Sequence, residues 1–265
     1  MLNKRDHWFR AHILLALVFV LGLLFLYPTP AYAMHIAEGI LPASWCAIWY
    51  AIAAIFVVIG IRLIRRRTRE IRGLMPLLGI SGALIFLISV FPIPVPISGS
   101  CSHPCGTPLG AILVGPFIST VLGALALLIQ ALFLAHGGIS TWGANIVSMA
   151  VVGSFVGFGA FILFRRFNAP IFVAAFAAGL FGDWATYATT SFELASALHG
   201  GGSLWGMFGA IALAFAPTQL PLGILEGLFT GGVVTLVYQR RPELLSQIIP
   251  RAFKPVSSVV KGGGR

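Results

Sequence analysis

Charge is what this chain has least of. Only 9% of its 265 residues are Asp, Glu, Lys or Arg, and seven are acidic. So few ions cannot keep the surface of a soluble domain hydrated. With 58% hydrophobic residues and a mean hydropathy of +0.96, the chain reads as a polytopic membrane protein. Lysine is scarcer still: Lys4, Lys254 and Lys261 make up the set, and none stands in a Gly-rich Gly-Lys-Ser/Thr context. The chain therefore lacks a phosphate-cradling loop, is not itself an enzyme, and leaves ATP hydrolysis to a partner. No His-Glu-x-x-His pattern occurs and no Ser/His/Asp set can be assembled, which argues against an intramembrane protease or hydrolase.

The basic residues that are present are clustered. Net charge is +10, yet after residue 33 every Lys and Arg falls in 62–72, at Arg165-Arg166, or in 240–265. Clusters beside apolar runs mark cytoplasmic loops and touch the headgroups of a lipid bilayer; they do not indicate a nucleic-acid partner. The expected fold is all-α, a bundle of about seven transmembrane helices with the N-terminus outside and the C-terminus inside. Spans are expected near 44–64, 74–92, 108–121, 123–135, 144–164, 169–190 and 204–239. The third and fourth divide one apolar run, because Arg165-Arg166 inside requires an even number of crossings between 92 and 143. Gly115-Pro116 supplies the break, since proline cannot donate to the helix ladder. The last stretch exceeds the roughly 20 residues of one crossing, so either Pro217 and Pro221 kink it or its first third follows the interface.

The N-terminus combines a targeting signal with a chelator. Lys4, Arg5 and Arg10 precede an apolar run over 13–27, and small residues at Ala31 and Ala33 supply a cleavage pattern. This divides the chain into a signal peptide (1–33), a transmembrane metal-binding domain (34–240) and a cytoplasmic tail (241–265). Cleavage after Ala33 frees the amine of Met34, with His35 second. That amine, the His35 amide nitrogen and its Nδ1 close a five- and a six-membered ring around one divalent ion. Square-planar nitrogen donors suit Ni²⁺ or Cu²⁺, with Co²⁺ possible. If Met34 is instead the true start and 1–33 an upstream extension, the mature chain still begins Met-His.

The expected topology puts two more segments on the same outer side, 92–108 and 136–143. The first holds Cys101, Ser102, His103, Pro104 and Cys105. Folded onto the Met34 amine, it offers His103 as a fourth nitrogen; otherwise His103 is a loop imidazole bonded to backbone. Cys101 and Cys105 with His103 also suit Zn²⁺ or Cu⁺, or the two thiols form a disulfide, and the sequence leaves these open. Cys46 reads as a packed core residue.

Met34 to Pro42, reading MHIAEGILP, is similar to the N-terminal signature of the CbiM family, the substrate-binding membrane components of cobalt transporters of the energy-coupling factor type. Gly99 to Pro104 resembles the cobalt branch more than the nickel branch, NikM. His136-Gly137-Gly138 with Gly143-Ala144-Asn145, Gly182 to Tyr187, and Thr218 to Pro221 match further family segments in order. The likeness covers about 34–240. It departs at the N-terminal extension and at Cys105, where threonine is usual. The resemblance implies a metal held by the Met34 amine, the amide and imidazole nitrogens of His35, and His103. It implies no permanently bound cofactor, with Co²⁺ or Ni²⁺ as the transported substrate. It also implies a CbiQ-type coupling subunit, a CbiO-type ATPase and a CbiN-type small subunit as partners, and cobalt supply for cobalamin synthesis. The chain would be multi-pass in the inner (plasma) membrane, its site facing the outside or periplasm.

Polar groups in the spans need partners. Asn145 and Gln130 are candidates for orienting a ligand, as are Glu38, Ser102 and His136. Asp183 and Glu226 read first as interhelical hydrogen-bonding groups, and His199 as a plain loop residue. Glu38 equally suits a cap for the first helix. The rival reading, a secondary metal permease driven by an ion gradient, would place its acidic or His pathway at mid-span, whereas the ligands here cluster at one end.

Overall fold

The apolar runs fold as helices, described in a computed structural model over residues 32–33, 35–71, 73–90, 93–95, 100–243 and 245. Met34, the segment up to residue 31 and the tail beyond 245 lie outside the described residues. Seven helices follow among those described: α1 (Ala43–Glu70), α2 (Leu74–Ser89), α3 (Thr107–Val114), α4 (Pro116–Phe133), α5 (Trp142–Arg166), α6 (Ile171–Leu198) and α7 (Leu204–Arg240). Five of them, α1 and α4 to α7, are long and apolar enough to cross a membrane, and α2 is a shorter apolar helix of 16 residues. The protein is a multi-pass helical membrane protein.

The run over 107–135 breaks at Gly115, whose φ of +94° only glycine adopts readily, just before Pro116. The first piece is shorter than the expected span 108–121. It is α3, an eight-residue helix with every residue buried. Eight residues rise about 12 Å, less than half a bilayer core. The irregular chain 103–106 leads into it, and such backbone is tolerated at depth because protein surrounds it. Hydropathy misjudged this element because a protein-facing and a lipid-facing helix are equally apolar.

Two other expectations shift. Helix α6 passes its expected end near 190 and continues to Leu198, bringing buried Glu193 into the bundle. Helix α7 runs unbroken for 37 residues through both prolines, about 55 Å, so neither interrupts it. Between them Thr218 Oγ1 donates to the Phe215 carbonyl at 2.9 Å. Helices α6 and α7 pack along their length. A Cβ on Gly179 would stand 2.7 Å from the Glu226 carbonyl oxygen, so this close approach requires glycine.

One cluster of core residues, including Leu78, Ile85, Leu109, Ile112 and Phe161, surrounds α3. The other, including Ile36, Trp49, Ala144, Met149 and Tyr187, supports the N-terminal segment. The sequence reading contained no strands, but three short ones form a patch: β1 (Tyr32–Ala33), β2 (Ile93–Val95) and β3 (Ser100–Ser102). β3 lies between the others, antiparallel to β2 and parallel to β1, with Tyr32 opposite Ser100 and Ala33 opposite Cys101.

Candidate metal centre

Parallel pairing of Ala33 with Cys101 carries two chains into the bundle side by side. His35 and His103 each stand two residues beyond that pair, and both are buried. Their ring centroids are 4.7 Å apart. The turn after α4 adds His136, 4.6 Å from His35 and 4.9 Å from His103. One nitrogen from each of the three rings lies within 4.8 Å of the other two.

Each ring is held by identifiable groups. The Ile36 N–H donates to Asn145 Oδ1 at 2.8 Å, and Asn145 Nδ2 donates back to the Ile36 carbonyl at 3.2 Å. Thr141 Oγ1 donates to the same carbonyl. This fixes the chain at His35, whose Nε2 lies 3.4 Å from Met149 Sδ. With Nε2 donating to sulfur, Nδ1 presents its lone pair. That atom is buried and has no hydrogen-bond partner among the described residues. Met149 sits in a π-helical stretch of α5, Ile146–Val152, a local widening often found at functional sites.

His103 Nδ1 donates to the Pro104 carbonyl at 3.0 Å, which fixes the tautomer and leaves the lone pair on Nε2. Its own carbonyl accepts from Tyr187 Oη at 3.2 Å. Ser102 Oγ accepts from Gln219 Nε2 at 2.5 Å and donates to Thr218 Oγ1 at 3.3 Å. The Cys105 and Gly106 N–H groups donate to Glu226 at 2.6 and 2.9 Å. Helices α6 and α7 thus grip the chain on both sides of His103. The half-buried His136 follows Ala135, at φ +49°, and its N–H donates to the Gln130 carbonyl at 3.2 Å. Gly137, at φ +88°, then stacks on His35, where a Cβ would meet the His35 Cβ at 3.1 Å.

Burial, with mutual repulsion among the rings, keeps these imidazoles neutral. His103 is pushed down to about 3 and His136 to about 4, while burial and then the charges of His103 and His136 hold His35 well below 6.5. Neutral imidazole is the metal-binding form.

Other expected residues fall as follows. Met34 lies outside the described residues, as does the side chain of Cys101. Glu38 is exposed and accepts from the Ser140 N–H at 3.0 and 3.3 Å, tying the His136 turn to the N-terminal segment; it does not cap α1. Gln130 donates through its side chain to Ser89 Oγ at 2.7 Å, which joins α4 to α2. Cys105 is a free, buried thiol directed at Asp183 (3.6 Å). Cys46 is buried, as expected of a packed residue. His199 ends α6, bonded to the Ala195 carbonyl. Sequence reasoning gave His136 a supporting role and did not place its ring against the other two. The repeated Gly137-Gly138 beside it was the available signal, since a turn that tight packs directly on a neighbour.

A family described as the cobalt uptake substrate-specific transmembrane region, CbiM, matches residues 35–244. The chain belongs to the CbiM family. A cobalt transport protein CbiM of Geobacter sulfurreducens is 54% identical over 219 residues, 83% of this chain and 63% of that protein. One from Sorangium cellulosum is 52% identical over 215 residues, covering 81% of this chain and 96% of that protein. A crystal structure titled as a truncated transition metal transporter superposes with a TM-score of 0.69 at 28% identity, over 78% of this chain and 99% of that one. These relatives are thus named as transport proteins.

Proposed function

We propose that this chain is the substrate-capturing membrane component of an ATP-driven energy-coupling factor importer for Co²⁺, supplying cobalamin synthesis. The observation that carries this reading is the buried meeting of His35 and His103 beside the start of the mature chain, in a family of cobalt uptake proteins. Signal peptidase cleavage after Ala33 frees the Met34 amine. The ion is then held by that amine, the His35 amide nitrogen and Nδ1, and His103 Nε2. His136 stands close enough to add a donor above the plane, which makes a five-coordinate site that Co²⁺ accepts. Asn145, Ser102 and Glu38 hold the ligand-bearing chains in place.

Capture occurs on the outer face of the inner membrane. The segments around His103 and His136 close over the ion. A CbiQ-type coupling subunit, a CbiO-type ATPase and a CbiN-type small subunit then drive reorientation and inward release. The orientation rests on the Arg clusters at 62–72, 165–166 and 240–241. Nickel is the second reading, favoured by the greater affinity of Ni²⁺ for nitrogen donors.

The test is metal binding to purified protein starting at Met34, compared with the same protein carrying one extra Ala before Met34. The insertion keeps every side chain and removes the amine from the chelate ring. Loss of Co²⁺ binding is expected, and stronger Ni²⁺ than Co²⁺ binding by the unextended form would move the assignment to nickel. Equal binding by both forms would remove Met34 from the site.

A further inference from the structure

A second set of ligand-type side chains lies beside the imidazoles and takes no part in holding the ion there. Cys105, Asp183 and Glu226 each bring one ligand atom within 4.8 Å of the other two, and all three residues are buried. They come from the chain that bears His103, from α6 and from α7. Glu226 has a structural duty, since its two oxygens receive the Cys105 and Gly106 N–H groups at the start of α3. That duty explains neither the thiol nor the second carboxylate. Asp183 is 0% exposed; its Oδ1 faces Cys105 Sγ at 3.6 Å, and its carboxyl is hydrogen-bonded to that of Glu226. No cationic side chain among the described residues pairs with either carboxyl, and the proton that their mutual hydrogen bond requires still leaves one negative charge in the bundle. Burying that charge is expensive, and a divalent cation that displaces the proton offsets the cost.

We infer that Cys105, Asp183 and Glu226 form a second divalent-metal site, which receives the ion from the imidazole site on its way through the bundle. Two residues of chain separate His103 from Cys105, at most about 7 Å, so the ion passes between the sites without leaving the protein. The site stands on its own geometry; its role as a relay rests on the import reading. Its chemistry also differs from that of the first site. One thiolate with carboxylate oxygens suits four-coordinate Zn²⁺ or Co²⁺, whereas a nitrogen plane suits Ni²⁺ or Cu²⁺. Binding displaces the thiol proton and the shared carboxyl proton to solvent. Co²⁺ adopts both geometries readily and Ni²⁺ resists the second, so two unlike sites in series favour cobalt where nitrogen donors alone do not.

The experiment is a Co²⁺ titration of the whole purified protein starting at Met34, followed by visible and near-ultraviolet absorption. The wild type is expected to take up two Co²⁺, one with a sulfur-to-cobalt charge-transfer band and the strong visible bands of a four-coordinate ion. Cys105→Ser abolishes the charge-transfer band and leaves the other binding step unchanged, and Asp183→Asn weakens the sulfur-linked step about tenfold or more. The double variant Cys46→Ser, Cys101→Ser keeps the band. His35→Ala with His103→Ala removes the nitrogen step and keeps the band. A single Co²⁺ at saturation with no sulfur band, or a band that survives Cys105→Ser, would overturn the second site and leave the first intact. If both steps persist in the His35→Ala, His103→Ala protein, the nitrogen site fails and the second site stands. Should Cys105→Ser not yield folded protein, the wild-type spectrum and Asp183→Asn decide the matter.

Discussion

The ring of His35 stands 4.7 Å from the ring of His103 because Ala33 and Cys101, each two residues earlier, are paired partners in a parallel strand patch. The two chains enter the bundle in register, so residues 68 positions apart arrive side by side. Asn145 then fixes one chain through Ile36, and Tyr187 the other through the His103 carbonyl.

Asn145→Leu removes both bonds to Ile36 while keeping the volume. Co²⁺ affinity is expected to fall about 10- to 100-fold, as for groups that orient metal ligands. Isothermal titration will read that loss beside a modest cost in stability of about 1–3 kcal/mol from the unpaired Ile36 N–H, since the Ile36 carbonyl still accepts from Thr141.

The pH dependence separates the terminal amine from the rings. His103 and His136 are held at about 3 and 4, and burial holds His35 well below 6.5, so the rings stay neutral ligands through the neutral range. An α-amine with an ordinary value near 7.7–8.0 is protonated as pH falls from about 8.5 to 7. Affinity of the Met34-start protein is therefore expected to drop steadily between pH 8 and 6. Residual binding to the Ala-extended protein, through imidazoles alone, changes little over the same range. Parallel titrations at four pH values check this.

Gly137→Ala forces a side chain onto φ +88° and a Cβ to within 3.1 Å of the His35 Cβ. Strain of about 1–2 kcal/mol is expected, with at least a tenfold loss of Co²⁺ affinity as the His35 ring shifts. Gly39→Ala is the control: φ is +80° but nothing lies within 4 Å of the added carbon, so stability falls similarly and affinity holds.

Glu226→Leu leaves the Cys105 and Gly106 N–H groups buried and unpaired. The expected destabilisation is about 3 kcal/mol, with Glu226→Gln intermediate because its single carbonyl oxygen still accepts. Denaturant-induced unfolding in detergent measures the order.

Much of this was legible in the residues. His103 stood in a segment too rich in Ser, Gly and Pro to be helix, and Gly115-Pro116 marked a real break; the terminal chelator read from Ala31, Ala33 and Met-His falls on Met34, outside the described residues. The length of α3 was not legible, because composition does not say whether an apolar residue faces lipid or protein. Nor was the placement of His136, which depends on Gly137 resting on a residue 102 positions earlier. Glu226 looked like any intramembrane carboxylate, and its grip on the Cys105 and Gly106 backbone exists only once α7 lies beside the start of α3.

The strand patch has a bearing on when the protein can work. Tyr32 and Ala33, which make β1, belong to the stretch that signal peptidase is proposed to remove. In the proposed precursor these residues would align the histidine chains, while the peptide bond at Met34 would withhold the amine. Such a precursor would be assembled but mute, folded around the place of the ion with one donor masked. On the import reading proposed above, cleavage would then act as a timer, supplying the last nitrogen only when the N-terminus has reached the face of the membrane where both the peptidase and the metal are found.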